Sequence, residues 1–198
     1  VRTGMSLDVT LFGAKPNDPN FDNTKPIKEA LEELSAGDEL YFPEGDYYFK
    51  TPMLYSPYIA HIAILKDGVN IRGAGKDKVR LISNFSQEQN KNETTVIAVV
   101  NAKNVTISGM TVTSVAKDED LPDPDNSRLN TMNYDGPRYG ISVENARLGY
   151  ITENIHITDV VVERVQRMGI RIKCARDVYV TNSTFQNMLD LGGGGHGY

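Results

Sequence analysis

Tyr139-Gly140-Ile141-Ser142-Val143-Glu144 is followed by Met168-Gly169-Ile170-Arg171-Ile172-Lys173 and then by His196-Gly197-Tyr198. The three central glycines lie 29 and 28 residues apart (169 − 140 and 197 − 169). A second echo sets Asn154-Ile155-His156-Ile157-Thr158-Asp159 against Asp177-Val178-Tyr179-Val180-Thr181-Asn182 at an offset of 23 (177 − 154). Self-similarity at such periods is the mark of a solenoid, in which one supersecondary unit stacks on the next.

Upstream, Val69-Asn70-Ile71-Arg72-Gly73 returns 36 residues later (105 − 69) as Val105-Thr106-Ile107-Ser108-Gly109. Each unit alternates apolar with polar residues and closes on a residue that tolerates a turn, which reads as a strand. Hairpin dipeptides are scarce: Asn-Gly is absent and Asp-Gly occurs only at Asp67-Gly68 and Asp135-Gly136. Many short strands with so few hairpin signals favour stacking between rungs over pairing between sequence neighbours. The expected fold is therefore all-β, a parallel β-helix whose inward residues stack like on like: Ile141 on Ile170, Val143 on Ile172, Ile155 on Val178 and Ile157 on Val180. Each such burial is worth roughly 1.5–3 kcal/mol.

The N-terminal part departs from the repeat. Leu7 to Ala14 reads as a strand. Ile27, Ala30, Leu31 and Leu34 make the apolar face of a helix over 24–35, capped by Asn23 or Thr24 and closed by Gly37. A solenoid needs its open end covered, and this helix suits that role. The chain reads as a single domain over 1–198, with a cap region at 7–49, rungs over 65–198 and an inserted loop at 116–137. Nothing comparable to the helix closes the other end. Tyr198 would fall within a strand, so the fold is expected to be truncated there, with further rungs or a second chain covering it.

A net charge of −5 and a pI near 5.2 argue against a nucleic-acid partner. No apolar run approaches the roughly 20 residues of a membrane-crossing helix, so no membrane partner is expected. Cys174 is the only cysteine, so no internal disulfide can form.

Asp8-Val9-Thr10-Leu11-Phe12-Gly13-Ala14, the helix, and Glu39-Leu40-Tyr41-Phe42-Pro43-Glu44-Gly45-Asp46-Tyr47 together resemble the opening of the pectate-lyase-like superfamily of right-handed parallel β-helix proteins. Leu65 to Gly75 is similar to the next block of mannuronan C5-epimerases and related polysaccharide lyases in that superfamily. The resemblance implies a carbohydrate-active protein, an acidic polysaccharide as partner, and an extracellular or cell-surface location. The epimerases carry Tyr-Gly-Phe-Asp-Pro-His on their catalytic rung. Here Arg171 and Lys173 stand in place of the Asp and His in one register, and Ser142 and Glu144 in the other. Epimerase activity is therefore not expected. Arg171-Ile172-Lys173 and His196-Gly197 look like two polygalacturonase motifs, but in reversed order and without that family's aspartates.

β-Elimination from a uronate needs a cation for the carboxylate, a base for the α-proton and an acid for the leaving oxygen. Arg171 and Lys173 alternate with inward Ile170 and Ile172, so both should face outward beside one sugar. Lys173 could serve as base if a neighbouring cation depressed its pKa. The plainer alternative is an exposed surface ladder with Glu144 one rung below. His196 and Tyr198, after Gly192-Gly193-Gly194-Gly195, would supply base and acid, or simply begin the next rung. Tyr139, Glu144, Arg147 and Tyr150 are candidate substrate-binding residues, the last two on an insertion in the rung. His156 and Tyr179 should stack outward on another face, and His61 should pack among Tyr55, Tyr58 and Ile62. No cofactor is expected. Calcium on Asp123, Asp125 and Asn126 would be a weak match, without the regular ligand spacing. The leading reading is a polysaccharide lyase. The alternative is a non-catalytic β-helix, such as a phage tailspike or a cell-surface polysaccharide-binding module.

Overall fold

The structure, a computed structural model, describes residues 4–123 and 134–189. It is a parallel β-helix with three faces. The first face stacks β1 (Ser6–Asp8), β2 (Glu39–Phe42), β5 (Asn70–Gly73), the first half of β8 (Lys103–Ser114), the first half of β10 (Glu153–Glu163) and β12 (Arg176–Thr181). The second stacks β3 (Gly45–Phe49), β6 (Val79–Ser83), the later halves of β8 and β10, and β13 (Thr184–Gln186). The third stacks β4 (Ile59–Ile64), β7 (Thr94–Val100), β9 (Tyr139–Glu144) and β11 (Met168–Lys173). All named strand pairs are parallel, and the expected registers hold: Ile141 opposite Ile170, Val143 opposite Ile172, Ile155 opposite Val178, Ile157 opposite Val180.

The sequence explains where the chain turns. β8 and β10 pass from the first face to the second through Gly109 (φ 73°) and Asp159 (φ 53°), and Asn182 (φ 47°) makes the same corner after β12. Asn104, Asn154 and Asp177 adopt positive φ at the start of the first face, one rung above another. Glycine, Asn and Asp are the residues that enter this region at least cost. Asn154 Nδ2 donates to Asn104 Oδ1 at 2.8 Å, so the turns are also stitched together. At Gly73 the reason is space: a Cβ there would lie 2.3 Å from the Gly109 carbonyl oxygen.

The interior is a column of aliphatic side chains. Leu40, Ile71, Val105 and Ile155 lie wholly buried on the first face, with Ile62, Ile97 and Ile141 on the third and Ile170 nearly so. In the last described rung, Ile172 and Val180 are exposed (46% and 37%).

Five N-terminal expectations are corrected. Leu7–Ala14 is not one strand: β1 gives way to a single 3₁₀ turn, Val9–Phe12, capped by the Asp8 carboxylate accepting from Thr10 N at 2.8 Å. The α-helix α1 spans Thr24–Glu32, shorter than 24–35. Gly37 is left-handed as expected, but five positions beyond that helix, where its amide donates to Gly68 O at 2.8 Å. Asn23 does not cap the helix with its side chain. It instead accepts from Lys15 N and donates to Tyr48 O, fastening the helix start to β3. Finally, the first full rung begins at Glu39, because β2 pairs in register with β5 and β3 with β6.

Candidate functional site

On the third face the register fixes which outward residues are neighbours. Ala63, Ala98, Ser142 and Arg171 form one column, and Val100, Glu144 and Lys173 the next. Strict alternation would leave these columns in water. Instead every residue of β7 and β9 is buried. The cause is the segment just before β4, which folds back over the sheet: Met53 N donates to Ala60 O at 2.8 Å, and Leu54 bridges to Ala60. Small residues at 60, 63, 98 and 142 leave the trough this segment fills. Tyr58, Ala60, Ala98, Val100 and Tyr139 make a second apolar cluster, separate from the core, with Leu54 and Met168 against it.

Arg171 sits on this cluster. Its guanidinium lies 5.1 Å from the Tyr139 ring centroid and 5.7 Å from that of Tyr58. Its Nη1 donates to the Tyr139 hydroxyl at 3.1 Å and pairs with Glu93 Oε1 at 2.7 Å. Burial by itself would lower the Arg171 pKa, but Glu93 and the two phenols outweigh it, and the net shift is upward. Arg171 is therefore a fixed cation, about a quarter exposed. The Tyr58 hydroxyl is buried without a hydrogen bond of normal geometry. Burial raises its pKa and the nearby Glu144 carboxylate raises it further, so it stays a protonated phenol.

Lys173 Nζ lies 3.7 Å from Glu144 Oε1. The sequence reading of this pair as an ordinary exposed ladder is corrected: Lys173 is in solvent, but the Glu144 side chain is only 9% exposed. Lys173 has a carboxylate as its ion-pair partner, so the cation invoked to make it a base is not the group paired with it. Tyr139, a candidate substrate-binding residue, is 2% exposed and serves as a seat for Arg171. Arg147 and Tyr150 pair with each other, Nη1 to Oη at 3.2 Å, in the exposed loop between β9 and β10. Beside that loop Asn145, Tyr150, Thr152, Cys174 and Arg176 line a depression of about 240 Å³. His196 and Tyr198, and Asp125 and Asn126 of the calcium match, lie outside the described residues. Among the described residues no three His, Cys, Asp or Glu side chains come together as a metal site.

Elsewhere, His156 and Tyr179 stack outward as expected, 4.9 Å apart at 19°. His61 is corrected: it is wholly buried on β4, stacked at 3.7 Å on Phe85, and bonded to Thr51 O and Ser83 Oγ. Glu93 and Tyr58 were missed. Both belong to the β4 and β7 rungs, whose strands lack the glycine that marks β9 and β11, so no repeat signal tied them to Arg171.

A model of the family described as rhamnogalacturonase A/epimerase, pectate lyase-like matches residues 6–193. Among proteins with curated descriptions, none matches this sequence. One similar solved structure comes from Parabacteroides merdae ATCC 43184 and is provisionally classed as a glycosyl hydrolase. It shares 18% identity and a TM-score of 0.61, covering 95% of this chain and 78% of that one. Another is the A-module of the Azotobacter vinelandii mannuronan C-5 epimerase AlgE6, at 17% identity and a TM-score of 0.55. The match covers 89% of this chain but only 42% of the epimerase chain. At such identities these two likenesses speak to the fold alone.

Proposed function

Since the chain belongs to the carbohydrate-active family described as rhamnogalacturonase A/epimerase, pectate lyase-like, we propose that it cleaves a uronate-containing polysaccharide by β-elimination on the outer face of β9 and β11. The observation that carries this reading is Arg171, a permanently charged, partly exposed guanidinium whose existing partner is the half-exposed carboxylate of Glu93. A uronate carboxylate can exchange for Glu93 there and be held in the bidentate manner that Arg favours. Neutralising that carboxylate makes the adjacent C–H acidic. A base removes the proton, the electron pair forms the C4–C5 double bond, the C4–O bond breaks, and the leaving oxygen takes a proton. Lys173, once drawn from Glu144, is the proposed base, with His196 or Tyr198 as acid. Such polymers lie outside cells, which supports an extracellular or cell-surface location.

A second reading is a non-catalytic binding module. It is favoured by the carboxylate already paired with each cation, Glu93 with Arg171 and Glu144 with Lys173. An assay on pectate, alginate and glycosaminoglycans, read by the ultraviolet absorbance of the unsaturated product, separates the two. The lyase reading expects product from one polymer, loss of both binding and product in Arg171→Ala, and binding without product in Lys173→Ala. Binding without product in the wild type points to the module. No binding to any of these polymers refutes both.

A further inference from the structure

Arg171 is not the only cation at this edge of the third face. Arg138 precedes β9 and Arg167 precedes β11, and they occupy equivalent places one rung apart: Arg167 N and Met168 N both donate to Arg138 O, at 2.9 and 3.2 Å. Rungs are separated by about 4.8 Å, so the two backbones are adjacent, and the charge of Arg167 acts on Arg138. Arg138 Nε donates to Asn90 O, and Arg138 N donates to Thr94 Oγ1 at 2.9 Å, which fixes the start of its side chain. Arg167 has less. Its Nε is buried with no hydrogen-bond partner, and among the described residues neither arginine forms an ion pair. Glu93 is the carboxylate within electrostatic reach of Arg138, and it is already paired with Arg171.

Glu93 thus serves two guanidinium groups, pairing with Arg171 and acting on Arg138, while Arg167 lies one rung beyond Arg138. Burial, and then the charge of Arg167, lower the Arg138 pKa, with Tyr139 and Glu93 opposing them, so among the described residues the two arginines repel each other. Stacked like charges on successive rungs cost stability unless something anionic joins them. Resting on the reading of Arg171 as a uronate-binding cation, we propose that Arg138 and Arg167 form a second anion subsite. It would hold another carboxylate of the same polymer, so that the site selects sugars carrying charge repeatedly along the chain over a single uronate.

The test uses the full chain and the variants Arg167→Gln, Arg138→Gln and Arg171→Ala. Calorimetry would compare galacturonate with its oligomers, and thermal unfolding would be followed with sulfate against chloride at equal ionic strength. Arg167→Gln is expected to weaken oligomer binding at least tenfold while leaving the monouronate unchanged. Sulfate should raise the wild-type Tm, and this effect should vanish in Arg167→Gln and Arg138→Gln. Ligand-free Arg167→Gln should melt no lower than wild type, because a repulsion and a buried unpartnered Nε have been removed. Unchanged oligomer affinity in Arg167→Gln, or a lower Tm with sulfate protection intact, overturns the subsite. Sulfate protection that depends on Arg167 in a protein that binds no polyuronate would keep the subsite and refute the reading of Arg171.

Discussion

His61 offers a quantitative test of how the β-helix is held to its N-terminal cap. The ring lies between Phe85, stacked at 3.7 Å, and Phe49, at 5.6 Å, and bridges Thr51 O to Ser83 Oγ. Thr51 O also accepts from Thr24 Oγ1 at the start of α1. The imidazole therefore joins the helix, the segment before β4, and β6. Burial disfavours its charged form, and although the Thr51 carbonyl and Asp22 oppose this, its pKa falls from 6.5 to about 4. With the folded value below the unfolded one, the unfolded chain binds more protons between those limits, and stability falls as the pH drops from 6.5 toward 4. At 1.36 kcal/mol per unit, about 2 kcal/mol is lost by pH 5 and about 3 kcal/mol below pH 4. Urea unfolding at pH 7, 6, 5 and 4.5 would compare the wild type with His61→Gln, which keeps a polar group but cannot titrate. Asp22, whose pKa is lowered, also loses its contribution in acid but does so in both proteins, so the difference isolates His61. The wild-type advantage at pH 7 should shrink steadily toward pH 4.5. A difference that does not move with pH, or an imidazole titrating near 6.5 by NMR, refutes the reasoning.

Asp22→Asn should cost about 2 kcal/mol, because both carboxylate oxygens accept, from Thr24 N and Oγ1, Lys50 N, and Thr51 N and Oγ1, and an amide NH₂ would face donors. Denaturant unfolding at pH 7 measures it, and wild-type stability would mean these bonds hold nothing. Gly109→Ala combines positive φ (73°) with a Cβ 2.4 Å from Gly73 O, so a loss of about 3 kcal/mol is expected. A melting temperature within a degree of wild type would show that the two rungs can separate. Arg171→Ala removes one partly exposed ion pair and two ring contacts, so its stability cost should be only about 1 kcal/mol. Loss of polysaccharide binding should far exceed that, and a variant that unfolds instead assigns Arg171 a structural role.

By itself the sequence determined the repeat and hence the fold. Alternation with turn-tolerant residues at fixed offsets places Ile141 under Ile170 and Ile155 under Val178, and Gly109, Asp159 and Asn182 are chosen by the φ that each corner needs. These are local or periodic properties, and a chain of residues carries them visibly. The site was legible only in part. Arg171 and Lys173 were visible as outward cations, and the register that sets Lys173 over Glu144 followed from the glycines. What tertiary structure alone decided is the surroundings of those cations. The segment before β4 folds over the third face, burying Tyr139 and Glu144, and Glu93 from two rungs away becomes the partner of Arg171. That covering contact is long-range and occurs once, so no period announces it, and the alternation of β9 reads as half-exposed when both its faces are dry. His61 follows the same logic: its burial depends on Phe49, Phe85 and Ser83 arriving from other strands, which a linear sequence does not display.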